Sequence, residues 1–237
     1  MSHISNPSSH ISAYAIIVAG GSGSRMQSVV PKQFLLLNGR PVLMYTIEAF
    51  ARSAYQPEII VVMHPNYHIY WQELCAEHSF TIPHQIISGG DTRFHSVKNG
   101  LELVADDSLV AVQDAVRPIT STEIIDNAYT QAAEYGNAVV AVKSRDSIRS
   151  LRNGVSQSLL RDEIYLVQTP QTFKSGLLKK AYLQPFNDGF TDDASVVEKD
   201  GHMIHICDGD YQNIKITFPE DIAIAELLLK KQRHSER

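Results

Sequence analysis

The chain has 237 residues, 43% of them hydrophobic and 20% charged, enough to bury the core of one large α/β domain. Its net charge of −5 leaves no basic excess for a nucleic-acid backbone, which excludes a general nucleic-acid binder, and no apolar run reaches the length of a membrane span. The two cysteines, Cys75 and Cys207, lack C-x-x-C spacing, so reduced, buried thiols are expected rather than a disulfide framework or a zinc knuckle.

Residues 1–13 are polar and have neither the basic start nor the apolar middle of a secretory signal. They are expected to form a disordered tail ahead of a single α/β domain over 14–233, located in the cytoplasm. Residues 15–18 read as a buried strand that spills into a glycine loop, 19–24, with Arg25 and then Pro31-Lys32-Gln33 close behind. Glycines let a backbone approach phosphate oxygens and aim N–H groups at them, and the two cations neutralise charge that amides alone do not. The loop is not a Walker A, since no Gly-Lys-Ser/Thr ending follows. It is not a Rossmann fingerprint either: Gly21 and Gly23 fit the first two positions, but the third is Met26. A glycine turn that merely joins strand to helix explains the glycines equally well, but not the cations.

Residues 41–52 carry Leu43, Ile47 and Phe50 at helical spacing, and 58–63 is a β-branched run suited to a central strand. Residues 66–80 read as a helix with Trp71, Leu74 and Cys75 on one side, followed by a strand at 84–88. His64 and His68 lie four apart with Pro65 between them and no carboxylate motif, so a loop and helix start is preferred over a metal site. At 89–96 a second strand–loop–helix junction appears, with Asp91 or Thr92 as the cap of a helix through Val97, Leu101 and Val104. A fourth strand, 109–113, ends in Asp114-Ala115-Val116-Arg117-Pro118, where open α/β sheets bind ligands; a local Asp–Arg pair is the plainer alternative.

A helix at 121–135 and a strand at 138–142 follow. Residues 147–150 and 155–160 alternate around Asn153-Gly154 as a hairpin, which is marginal alone in water and is expected to project and pair with another subunit. A strand at 163–168 is expected to be ended by Thr169-Pro170-Gln171-Thr172-Phe173, with a helix at 174–183, a helix capped by Thr191, strands at 203–207 and 213–217, and a last helix opened by Pro219. Ile222, Ala225, Leu228 and Leu229 form that last helix's apolar face.

Strands alternating with helices predict a single Rossmann-like, mostly parallel sheet with helices on both faces and a projecting β-hairpin arm. Such connections bring the glycine loop, Gly90-Asp91, Asp114–Arg117, Thr169 and Thr191 to one sheet edge. No nucleophile elbow or ordered Ser-His-Asp set is present, and none of the ten histidines takes a catalytic role. Cations stand out instead: Arg25, Lys32, Arg161 and Lys215. A site rich in cations and poor in bases suits a nucleophile that is already ionised, such as a phosphate monoester with a second pKa of about 6. Nucleotidyl transfer is therefore favoured over hydrolysis or hydride transfer.

The blocks Ala19-Gly20-Gly21-Ser22-Gly23-Ser24-Arg25-Met26, Pro31-Lys32-Gln33-Phe34, Gly89-Gly90-Asp91 to Ser96, Asp114 to Pro118, Thr169-Pro170-Gln171, Thr191-Asp192 and Asn213-Ile214-Lys215 occur in order across nearly the whole chain. Together they resemble the cytidylyltransferases that act on sugar-alcohol phosphates, most closely the 2-C-methyl-D-erythritol 4-phosphate cytidylyltransferase family of the non-mevalonate isoprenoid pathway. The resemblance implies transfer from CTP to methylerythritol phosphate with release of pyrophosphate, assisted by Mg²⁺. It implies that Arg25 and Lys32 stabilise the pentacoordinate α-phosphate, and that Ala19, Gly20, Gly21 and Gly23 cradle the triphosphate and cytidine. It also implies that Gly90, Asp91 and Ser96 read cytosine, and that Asp114 and Ala115 lie near ribose, with Asp114 near the metal and acceptor. Arg117, Ser147, Arg161, Thr169, Thr191 and Lys215 are implied around the acceptor. The hairpin, about 146–160, matches an arm exchanged between two subunits of a homodimer, so that Arg161 serves the partner's site. The chain has Val18-Ala19-Gly20-Gly21 where many members read Pro-Ala-Ala-Gly, Val116 where many have alanine, and Ser147 where many have threonine. The ribitol 5-phosphate cytidylyltransferases share these blocks and are the alternative; a non-catalytic nucleotide-binding homologue is the third reading.

Overall fold

The computed structural model describes residues 11–21 and 30–235. Gly23, Arg25 and the expected tail up to residue 10 lie outside the described residues.

The chain runs β1 (Ala13–Val18), β2 (Leu36–Leu37), β3 (Arg40–Pro41), α1 (Val42–Ala51), β4 (Glu58–Met63), α2 (His68–Glu77), β5 (Gln85–Ser88), α3 (Arg93–Leu101) and β6 (Leu109–Asp114). It continues through α4 (Thr122–Tyr135), β7 (Asn137–Lys143), β8 (Arg149–Arg152), β9 (Val155–Ser158), β10 (Tyr165–Lys174), α5 (Ser175–Ala181), α6 (Asp193–Lys199), β11 (Ile206–Asp208) and α7 (Glu220–Ser235). Seven strands form one sheet in the order β11-β7-β10-β6-β1-β4-β5. Within this sheet every pairing is parallel except those of β10, which runs antiparallel to both β6 and β7. The sheet is thus mostly parallel, as expected from the alternation of strands and helices.

β1 is apolar on both faces because both are covered. Ala15 and Ile17 pack with Leu43, Ile47, Phe50, Trp71, Ile125 and Tyr129, which puts α1, α2 and α4 on one side. Ile16 packs with Phe94, Val97, Leu178, Val196 and Val197, which puts α3, α5 and α6 on the other. The apolar face of α7 closes a third cluster: Ala225 is buried with Leu37, Val42, Val116, Ile119 and Ile216, and Ile222, Leu228 and Leu229 are packed against it. Local signals set the boundaries. Ser121 caps α4 by accepting the Ile124 N–H, and Gly136, at φ 94°, ends it in a left-handed turn that a side chain would strain. Asn153 and Gly154, at φ 50° and 78°, turn the β8–β9 hairpin, which stands as a separate two-stranded sheet.

Several boundaries differ from the sequence expectation. Residues 66–80 open as a 3₁₀ turn, Pro65–Tyr67, because Pro65 supplies the first-turn geometry and His64 accepts from the Asn66 N–H. Of the two caps open for α3, Asp91 or Thr92, it is Thr92 that caps, its side chain accepting the His95 N–H, in keeping with the expectation. Asp192, rather than Thr191, caps α6: its side chain accepts the Ser195 N–H while Ser195 Oγ answers the Asp192 N–H, a closed capping box one residue later. The strand expected to stop at Thr169 passes through a cis Thr169–Pro170 bond and a register shift and continues to Lys174, because β6 and β7 both offer it ladder partners. Residues 213–217 are not a strand. They lie past the end of β6, where the Ile216 N–H to Val116 carbonyl bond joins the two segments and side chains make the other ties.

Candidate active site

β1, β4 and β6 run in parallel register, Val18 opposite Val62 and Asp114, so their carboxyl ends share one edge. The first loop is strapped there before it reaches solvent. The Ala19 N–H bonds the Val62 carbonyl at 2.7 Å, and buried Gln33 donates Nε2 to the Ala19 carbonyl at 2.7 Å. Gln33 thereby couples the Pro31-Lys32-Gln33 block to the loop start. Lys32 Nζ donates to the Ile216 carbonyl at 3.1 Å.

At the second junction the Gly90 N–H bonds Ser96 Oγ at 3.2 Å, and Ser96 Oγ donates to the Thr92 carbonyl at 3.0 Å. Gly90 is required by packing: a Cβ there would overlap that of His95. Ser96, 3% exposed, is therefore part of the loop's own scaffold.

Asp114 is the charge centre. Its Oδ2 accepts from Lys215 Nζ at 2.9 Å and from Arg117 Nε at 3.3 Å. Burial by itself would raise this carboxyl, but Lys215, Arg93 and Arg117 outweigh it and hold the pKa at about 2. Asp114 is thus a fixed anion at neutral pH, unsuited to act as a general base. The Asp114 N–H also donates to Thr169 Oγ1 at 3.1 Å, which ties β6 to the bend in β10. Arg93 makes a two-pronged pair with Asp193, Nη1 to Oδ1 at 3.0 Å and Nη2 to Oδ2 at 2.7 Å. The Tyr182 hydroxyl adds a third bond to Asp193 Oδ1 at 2.6 Å. Burial works against the Arg93 charge, yet Asp193 more than compensates and raises its pKa.

Two cavities adjoin at this centre. The first, about 440 Å³, is lined by Ala19, Gly20, Gly21, Lys32, Gln33, Gly90, Asp91, Ser96 and Ala115, together with Arg93, Asp114 and Lys215. The second, about 300 Å³, is lined by Arg117, Gln168, Thr169, Gln171, Thr191 and Asp192, and again by Arg93, Asp114 and Lys215. The shared wall is one carboxylate between two cations. Such a pair of compartments can hold two anions apart until the wall's cations offset their repulsion.

The predicted residues therefore divide. The first cavity collects Ala19, Gly20, Gly21, Lys32, Gly90, Asp91, Ser96, Asp114 and Ala115, and the second Arg117, Thr169 and Thr191; Lys215 faces both. Ser147 and Arg161 are not with them; they line a separate surface cavity with Leu160, Asp162 and Glu163. Arg93, Gln33 and Asn213 lie inside the sequence blocks without a role assigned to them, and Asp193 and Gln168 are not marked as site residues in the sequence at all. Arg93 did carry a signal: it is the first residue of α3, where a cation opposes the helix dipole and needs a carboxylate elsewhere. Among the described residues no cluster of three or more His, Cys, Asp or Glu could bind a metal by itself. One carboxylate, Asp114, in the wall of the first cavity, fits an ion of Mg²⁺ type carried in on substrate phosphates.

Comparison with known proteins points to one family. The family model for 2-C-methyl-D-erythritol 4-phosphate cytidylyltransferase (IspD) matches residues 13–231. The protein of that name from Bacteroides thetaiotaomicron is 47% identical over 214 residues, 90% of this chain and 98% of its own. That from Azobacteroides pseudotrichonymphae is 48% identical over 221 residues, covering 91% and 98%. Among solved structures, 4-diphosphocytidyl-2C-methyl-D-erythritol synthase of Anaerococcus prevotii superposes with a TM-score of 0.80 at 28% identity, over 93% of this chain and 97% of the other. The 2-C-methyl-D-erythritol 4-phosphate cytidylyltransferase of Thermus thermophilus does so with a TM-score of 0.74 at 28% identity, over 93% and 100%.

Proposed function

The chain belongs to the 2-C-methyl-D-erythritol 4-phosphate cytidylyltransferase family, and on that premise we propose how its two cavities divide the work of the reaction. The activity is CTP-dependent cytidylyl transfer to 2-C-methyl-D-erythritol 4-phosphate, a step of isoprenoid precursor biosynthesis. The observation that carries the division is the wall of Arg93, Asp114 and Lys215 common to both cavities.

CTP takes the first cavity. Its phosphates meet the backbone of Gly20 and Gly21 and the Lys32 ammonium, and its base meets Gly90, Asp91 and Ser96. The acceptor takes the second, with its phosphate near Lys215 and Arg117 and its polyol near Thr169, Thr191 and Gln171. The acceptor phosphate is largely dianionic at neutral pH, since its second pKa is about 6, so no base is needed. One of its oxygens attacks the α-phosphorus in line. The new P–O bond forms as the bond to the β-phosphate bridging oxygen breaks, and pyrophosphate leaves with that electron pair. Negative charge grows on the equatorial oxygens of the α-phosphate, where Lys32 stabilises it, together with Arg25 by its place in the motif. Asp114 cannot take a proton at neutral pH; it holds Lys215 and Arg117 toward the acceptor. Mg²⁺ fits beside Asp114, where it would neutralise the triphosphate.

Arg161 and Ser147 act, on this reading, in the site of a second subunit reached by the β8–β9 arm. What supports the exchange is that they line a cavity other than the two above, and the apolar surface around the arm: Leu151, Val155 and Leu160 are each 70% exposed or more. A cytoplasmic location is supported by the two free thiols, Cys75 and Cys207.

Pyrophosphate release from CTP, with methylerythritol phosphate and ribitol 5-phosphate offered separately, tests the reading. Release is expected with the first and not the second. Equal or better turnover of ribitol 5-phosphate would overturn the acceptor assignment.

A further inference from the structure

Asn213 is fully buried, yet it is neither in the sheet nor in the lining of either cavity. Burying an amide side chain is costly unless each polar group finds a partner. Here each does. Its Oδ1 accepts from Thr120 Oγ1 at 2.9 Å. Its Nδ2 donates to Gln168 Oε1 at 3.2 Å and to the Thr169 carbonyl at 3.0 Å. Its backbone carbonyl accepts from Arg117 Nη1 at 2.6 Å, and its N–H donates to the Asp210 carbonyl at 2.9 Å.

These bonds join three separate segments: the loop after β6, the bend of β10, and the segment that carries Lys215 two residues further on. Each contributes to the acceptor cavity through Arg117, Gln168 and Thr169, or Lys215. The far side of the hub is braced as well. Gln168 Nε2 reaches the Asp210 carbonyl at 2.8 Å, and Gly209 leaves room for it, since a Cβ there would sit 2.6 Å from Gln168 Oε1. Thr120 in turn accepts from buried Gln113 Nε2 at 2.9 Å.

We propose, on the cytidylyl-transfer reading of the two cavities, that Asn213 is the positioning residue of the acceptor side. Its side chain ties Thr120, Gln168 and Thr169 to the segment that carries Lys215, while its backbone carbonyl receives Arg117, so that the polyol phosphate meets a preformed set of cations and hydroxyls. It touches neither substrate. The CTP side is held by bonds that the Asn213 side chain does not make: Gln33 on the Ala19 carbonyl, Ser96 on the Gly90 N–H, and Lys32 on the Ile216 carbonyl, a main-chain group that a substitution at Asn213 leaves in place. Its loss is therefore felt unevenly: acceptor affinity falls and CTP affinity does not.

The test is steady-state kinetics on the full chain for Asn213→Ala and for Thr120→Val, which keeps shape but removes the hydroxyl that Asn213 Oδ1 accepts from. The control is Asn137→Ala. Asn137 is equally buried and hydrogen-bonded, to the Met203 carbonyl and the His205 N–H, but lines neither cavity. For Asn213→Ala the KM for methylerythritol phosphate is expected to rise about tenfold or more while that for CTP stays within about twofold. Thr120→Val should move the same way by less, and Asn137→Ala should lower Tm without the split. Parallel rises in both KM values, or a Tm loss alone, in Asn213→Ala would overturn the assignment; should that variant not fold, Thr120→Val decides on the same criterion. A wild-type chain without turnover of methylerythritol phosphate would instead sink the underlying reaction.

Discussion

Lys32 and Ile216 are 184 positions apart, yet the Lys32 ammonium donates to the Ile216 carbonyl at 3.1 Å. Ile216 itself is buried and fastened to Val116 by its N–H. The cation proposed for the α-phosphate thus leans on the segment that carries Lys215, the cation proposed for the acceptor. The two halves of the site share a support, which bears on how their substitutions should read out.

Lys32→Ala removes the charge that meets the growing negative charge on the α-phosphate. Donors of this kind contribute on the order of a hundredfold in kcat. We expect a loss of that size or more, with the unfolding midpoint in urea little changed, because Ile216 keeps its backbone bond and its place in the apolar cluster. Activity within threefold of wild type would remove Lys32 from the mechanism.

Gly90→Ala places a methyl group against His95 and forces the junction apart. The Gly90 N–H then leaves Ser96 Oγ, and the loop that faces the nucleotide shifts. The expected outcome is a KM for CTP raised about tenfold with a smaller change for the acceptor, the mirror image of Asn213→Ala. Titration calorimetry with CTP checks it independently of turnover.

Asp193 is fully buried, and Arg93 and Tyr182 both depend on it. Asp193→Asn preserves volume but takes from the guanidinium the carboxylate it is hydrogen-bonded to, leaving only Asp114 nearby. With the Arg93 side chain 31% exposed, the cost is about 2 kcal/mol, less than for a fully buried pair. Urea denaturation should show a loss near that figure, and both KM values should rise together, because Arg93 faces both cavities.

Burial pushes the thiols of Cys75 and Cys207 from 9.0 up to about 11, with Asp208 adding to the effect at Cys207. The fold therefore favours the neutral thiols. That contribution to stability is complete below pH 9 and is lost as pH rises through 11. At pH 8 alkylation by iodoacetamide should be slower in the native protein than in urea by about a hundredfold, since the thiolate is the nucleophile. Equal rates in the two states would contradict this.

Much of this molecule is decided within a few residues of chain. The β-branched run Glu58–Met63 is a strand from end to end, Ser121 and Gly136 bracket α4, and Asn153-Gly154 turns a hairpin, because periodicity, caps and left-handed turns are local physics. The order of the glycine and Lys32 block, Gly90-Asp91, Asp114 and Lys215 likewise points to one edge of a parallel sheet, where the described ones are found. Only the tertiary structure decides the rest. A carboxylate one hundred positions away makes Arg93 tolerable at a helix start. Residues 213–217 are β-branched and strand-like in sequence, but lying beyond the sheet's end they become a strap whose asparagine bonds three segments. Thr169 is drawn into a strand that the following proline, by local preference alone, would close, because β6 and β7 flank it. Local sequence sets which conformations a segment prefers; the partners that satisfy a buried charge or amide are distant in the chain, and only folding brings them within hydrogen-bonding reach.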